Sequence, residues 1–101
     1  MSMNHTAVQG SSKSYMSAAL ILGTTIREER EAQGMTIAQV AGYAGCHPSI
    51  WALIEAGVWV PDQDEVRSIA GALGVGWVQL SFLAMVADHE IKPRFVQRRR
   101  L

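Results

Sequence analysis

From residue 17 onward, apolar positions recur at helical spacing, in five groups separated by turn chemistry. Leu22, Ile26 and Arg30 fall four apart on one face of a stretch over residues 18–33, with Ser17 before it as cap and Gln33-Gly34 as stop. Val40 and Ala41 face inward from a second predicted helix over residues 37–44. Thr36 and Gln39 have the spacing of a capping box at its start. A third helix is expected over residues 48–56. His47 stands at its cap and Pro48 at the first helical position, where a missing N–H costs nothing; Gly57 closes it. Asp62 and Glu65 have the spacing of another box before a helix over residues 63–73 that buries Val66, Ile69, Ala70 and Leu73. After Gly74-Val75-Gly76, a fifth helix is expected over residues 77–89, with Leu80, Leu83, Ala84 and Ala87 along a stripe. Pro93 is expected to end helical structure. No strand-like alternation and no internal repeat is present in the sequence, so the fold class is all-α.

The ends differ from the middle. Residues 1–16 are small and polar without apolar period and read as a mobile leader, residues 17–90 as the folded domain, and residues 91–101 as a basic tail. The formal net charge is zero, yet residues 22–90 carry three arginines against nine carboxylates, a net of −6. Lys92, Arg94, Arg98, Arg99 and Arg100 give the tail +5. An acidic body with a basic end is not the even coat of a small enzyme.

With 101 residues and 49% hydrophobic side chains, the chain suits one domain with a modest core. Cys46 is the one cysteine, which excludes an intrachain disulfide and favours a reducing compartment, and no apolar run is long enough for a membrane span. A cytoplasmic protein is the expectation. His5, Cys46, His47 and His89 lack the spacing of metal ligands, so neither a metal nor a cofactor is expected. Gly71, Gly74 and Gly76 follow a helix and not a strand, which removes the phosphate-cradling reading. With no nucleophile elbow or paired carboxylates, an enzyme is not expected.

Residues 36–57, TIAQVAGYAGCHPSIWALIEAG, have the timing of a helix-turn-helix. Ala41 is small where two helices cross, Gly45 lies at a turn that favours positive φ, and Trp51 and Ile54 are apolar on the second helix. Together with LGTTIREERE ahead and PDQDEVRSIAGALGV behind, this stretch resembles the Cro/cI-type (Xre-like) helix-turn-helix family of phage repressors and small bacterial regulators, over about three fifths of the chain. The resemblance implies a five-helix, phage-repressor-like domain and a salt bridge between Arg30 and Glu55. It also implies a transcriptional regulator, more often a repressor, that binds double-stranded DNA as a homodimer on a palindromic operator.

Carried over residue by residue, it puts DNA contacts at Thr36, Ile37, His47, Pro48, Ser49, Ile50 and Leu53. The chain departs from relatives here, because it offers few polar groups to base edges: Ser49 and His47 have one hydrogen bond each to give, and Ile50 and Leu53 suit only thymine methyls. Arg98, Arg99 and Arg100 are candidates to track phosphates or enter a minor groove, against the plainer reading of a solvated tail. Trp77, Leu80, Phe82, Leu83 and Val86 are the candidate dimer surface, since the fifth helix is apolar in more directions than one core requires. A second function stays open: a protein-interaction module whose apolar face, through Ile50, Leu53, Val58, Trp59 and Val60, docks a protein partner.

Overall fold

The computed structural model describes the backbone of residues 17–100 and the side chains of residues 17–90. Among the described residues there are five helices and no strand: α1 (Ala18–Ala32), α2 (Ile37–Ala44), α3 (Pro48–Glu55), α4 (Gln63–Leu73) and α5 (Val78–Arg100). The leader over residues 1–16 and the side chains of the basic tail lie outside the described residues.

Local chemistry sets most of the boundaries. Ser17 Oγ accepts from the Leu20 N–H at 3.2 Å, and α1 ends where Gly34 turns left-handed at φ 72°. Both capping boxes close reciprocally. Gln39 N–H donates to Thr36 Oγ1 at 3.1 Å and Thr36 N–H to Gln39 Oε1 at 2.9 Å; Asp62 and Glu65 exchange the same pair, each at 2.8 Å.

The inward faces of all five helices meet in one core. Leu22 and Ile26 come from α1, Val40 and Ala41 from α2, Trp51 and Ile54 from α3, the four expected residues from α4, and Leu80 and Ala84 from α5. A smaller cluster of Ala18, Ala19 and Ala87, flanked by Val60 and Val86, fastens α5 along α1. There Glu90 Oε1 accepts the Ala18 N–H at 3.1 Å, which places a carboxylate at the positive end of α1. Gln33 Nε2 donates to the Leu73 carbonyl at 2.7 Å and joins the far ends of α1 and α4.

Pro93 does not end the fifth helix, which continues to Arg100. Proline removes one i→i−4 hydrogen bond and crowds the preceding turn, but its fixed φ is helical, and a helix already nucleated over residues 78–92 tolerates that loss. Among the described residues, no helix is long and apolar enough to cross a membrane.

Candidate nucleic-acid interface

The pair α2–α3 is held by its turn and from behind. Gly45 takes φ 72° and ψ 31°, a left-handed conformation open to glycine, and Cys46 N–H returns to the Ala41 carbonyl at 3.0 Å. His47 then caps α3: its Nδ1 accepts the Ser49 N–H at 3.1 Å and lies 2.7 Å from Ser49 Oγ. With Nδ1 accepting the backbone N–H, the corresponding tautomer holds the ring hydrogen on Nε2. In that tautomer the serine hydroxyl is the donor of the 2.7 Å contact and shares the one lone pair of Nδ1 with the backbone N–H. What the pair turns to solvent is an N–H donor on the ring and acceptor lone pairs on the hydroxyl.

Behind α3, three donors converge on one carboxylate. Glu55 is 7% exposed, and its Oε2 accepts both Arg30 Nε and Trp51 Nε1 at 2.6 Å, while Oε1 accepts Arg30 Nη2 at 3.0 Å. Arg30 Nη1 reaches the Met35 carbonyl at 2.9 Å, so the guanidinium ties α1, the α1–α2 loop and α3 together. The hydrogen bonds to Glu55 raise the Arg30 pKa further above its ordinary value, overcoming a burial that pulls it down. Trp51 is fully buried above this latch.

A second constraint was not read from the sequence. Gly23 lies inside α1 where α3 ends, and a Cβ there would come within 2.5 Å of the Glu55 carbonyl oxygen and closer still to that of Ile54. Helix α1 thus rests its backbone on the last turn of α3. The available signal was an isolated glycine within an otherwise helical stretch, a costly residue there unless something packs closely against it.

Thr36, His47, Pro48, Ser49 and Leu53 are exposed. Ile37 and Ile50 are half-buried and packed against the core's edge, so less of each is presented than the sequence suggests. Leu53 has a neighbour in the following loop, whose Val58 and Trp59 N–H groups donate to its carbonyl at 3.0 and 3.2 Å, with all three side chains exposed. Val60 is not part of that patch; it is half-buried against the smaller cluster. Tyr43 is exposed on α2. Arg98, Arg99 and Arg100 end α5, and their side chains lie outside the described residues.

Cys46 is half-buried in the wall of a cavity of about 190 Å³ between the turn and α4, lined also by Ile50, Asp64, Glu65 and Ser68. Burial raises its thiol pKa first and the Glu65 charge second, against a lowering backbone hydrogen bond from Trp51. Among the described residues, no group of three or more His, Cys, Asp or Glu side chains is placed to hold a metal ion.

The candidate dimer residues divide. Leu80 is 4% exposed and belongs to the core, which corrects its assignment to a dimer surface: the same side chain cannot fill the core and meet a second copy. Leu83 and Val86 are half-buried against the two clusters. Trp77 is partly covered by Arg67, whose guanidinium carbon sits 4.5 Å from the ring centroid. Phe82 is the well-exposed member.

A family model described as a helix-turn-helix domain matches residues 21–82, from the first turns of α1 to the start of α5. No curated protein matches the chain.

Proposed function

Because the chain belongs to the helix-turn-helix domain family, we propose that it is a DNA-binding transcriptional regulator that sets α3 in the major groove. The observation that carries this reading is the division of α3 into two faces. Trp51, Ile54 and Glu55 are buried and latched to α1, while His47, Ser49 and Leu53 remain outside on a rigid support. A reading helix has to be held in that way, because base-edge hydrogen bonds are lost with small misplacements.

Phosphate contacts fall to few groups. Of the first N–H groups of α2, that of Gln39 is taken by Thr36 Oγ1, which leaves those of Ile37 and Ala38 to suit an anionic oxygen. The remaining attraction comes from Arg98, Arg99 and Arg100 at the far end of α5, since the body repels the duplex. In line with the Cro/cI-type resemblance, the finer reading is a cytoplasmic repressor whose two copies occupy the halves of a palindromic operator. Two-fold symmetry doubles the few base contacts that a single α3 provides.

Selection of bound sequences from a random duplex pool, followed by a salt titration of the winner, tests this. A defined motif is expected, with affinity falling steeply as salt rises and a shallower slope once Arg98, Arg99 and Arg100 are replaced by alanine. Failure to enrich any sequence at low salt overturns it. One observation favours another reading: Leu53, Val58 and Trp59 form an exposed apolar patch at the end of α3 that suits a protein partner. Under that reading the patch is the docking face and no duplex is retained.

A further inference from the structure

The cavity of about 190 Å³ beside the turn of the motif has two kinds of lining. Ile50 and Ile54 of α3 and Ile69 of α4 make part of it apolar, with Cys46 next to them. Asp64, Glu65 and Ser68, all on α4, make the rest polar. Asp64 and Ser68 are four residues apart, so they are neighbours on one face of that helix. Among the described residues, neither the Asp64 carboxylate nor the Ser68 hydroxyl has a hydrogen-bond or ion-pair partner. Glu65 gives Oε1 to the Asp62 N–H at 2.8 Å, and its charge is felt at the Cys46 thiol.

This lining selects its occupant. No lysine, arginine or histidine is among the lining residues, and the neighbouring Arg67 sits over the Trp77 ring. Carboxylates without a cation favour a positive charge. An anion at the start of α4 is disfavoured, because Asp62 already takes the Glu65 N–H there. An inorganic cation would make no use of the three isoleucines. The volume is also below the roughly 300–1,000 Å³ of pockets for drug-sized ligands. From this we infer that the cavity binds a small organic ammonium ion, its apolar group against Ile50, Ile54 and Ile69 and its N–H groups on Asp64 and Ser68.

The occupant spans the α2–α3 turn and α4 and so holds α3 against α4. Asp64 is solvent-exposed, and exposed ion pairs attract weakly. Affinity is therefore modest, roughly millimolar for a ligand of about nine non-hydrogen atoms. Binding involves no DNA, so its absence leaves the regulator reading standing.

The test uses 2-phenylethylammonium chloride, with its neutral counterpart 2-phenylethanol and its anionic counterpart 3-phenylpropionate at matched ionic strength. Two readouts are followed: the melting temperature, and the rate at which Cys46 reacts with 4,4′-dithiodipyridine, a reagent that amines do not consume. The ammonium ion is expected to raise the melting temperature and to slow the thiol reaction in a saturable way, because only the empty cavity admits the reagent. The alcohol is expected to bind roughly tenfold more weakly and the anion not at all. Asp64→Asn and Glu65→Gln should each weaken ammonium binding roughly 2–5-fold. Gln at 65 can still accept from the Asp62 N–H, so the capping box survives. Ser68→Phe, at an exposed position, should fill the cavity and abolish the protection of Cys46. A thiol rate unchanged up to tens of millimolar ammonium, equal binding of amine and alcohol, or protection indifferent to Asp64→Asn and Glu65→Gln would each overturn the assignment.

Discussion

Arg30 grips Glu55 with two nitrogens, Nε to Oε2 at 2.6 Å and Nη2 to Oε1 at 3.0 Å, on a carboxylate that also accepts from buried Trp51. The pair is shielded from water, so removing one member strands the other without solvent. Arg30→Ala is expected to lower unfolding stability by about 3–5 kcal/mol, well above the value for a surface pair. Urea unfolding measures it. A double change to Arg30→Met and Glu55→Leu should recover part of the loss, because it leaves no uncompensated charge. A single variant within about 1 kcal/mol of the parent would mean the latch contributes no more than a surface ion pair.

Two glycines inside helices should respond in opposite directions to the same substitution. Gly71 of α4 has open space around its missing Cβ, and Gly71→Ala is expected to stabilise by about 0.5–1 kcal/mol. Gly23→Ala meets the carbonyls of Ile54 and Glu55, and steric displacement of about 1–3 kcal/mol outweighs the gain in helix propensity. Because the displaced element is the end of α3, Gly23→Ala should also weaken duplex binding, whereas Gly71→Ala should leave it unchanged. Paired melting curves and duplex titrations decide the matter; equal behaviour of the two variants would contradict the close crossing.

That contrast also shows which features a sequence carries openly. The boxes at Thr36 and Asp62, the cap at His47 and the turn at Gly45 were legible because each depends on residues within a few positions. The role of Gly23 depends on which distant backbone crosses it, and nothing near it in sequence says so. The faces of α5 were legible in part. The stripe of Leu80, Ala84 and Ala87 fills the core as its spacing predicts, and Leu80 was misplaced only by being named for a dimer surface as well, because residues 77–86 hold more apolar side chains than the stripe alone. Arg30 and Glu55 were joined in the sequence only through family resemblance, and the convergence of Trp51 on the same carboxylate was not anticipated. The limited presentation of Ile37 and Ile50 likewise needed the packed core.

Cys46 offers a pH test. Burial and the Glu65 charge hold its folded pKa above the unfolded value. The contribution of the protonated thiol to stability is thus complete below the unfolded thiol pKa and is lost as pH rises through the higher folded one. Stability should therefore decline across that alkaline window, and Cys46→Ala should flatten this part of the profile. Alkylation of folded protein by iodoacetamide at pH 8 should be slower than that of the urea-unfolded chain, since the thiolate is the nucleophile. Equal alkylation rates would show that the thiol is not held protonated.

The hydrogen-bond roles of His47 and Ser49 make a claim about base identity. With the serine hydroxyl donating to His47 Nδ1, the lone pairs of Ser49 Oγ are what it turns outward, so toward a base it is an acceptor. In the major groove only adenine N6 and cytosine N4 present a donor, while guanine and thymine present none. Selected duplexes should accordingly show adenine or cytosine at one position of each half-site. Ser49→Ala should erase that preference with a loss of roughly 3–10-fold, in keeping with one hydrogen bond of about 0.5–1.5 kcal/mol. Its effect on the salt slope should be negligible, because no phosphate contact is removed. Guanine or thymine enriched at every position that responds to Ser49→Ala would mean the hydroxyl turns away from the imidazole and donates to the base instead, and the histidine would then be an N-cap without a part in reading sequence.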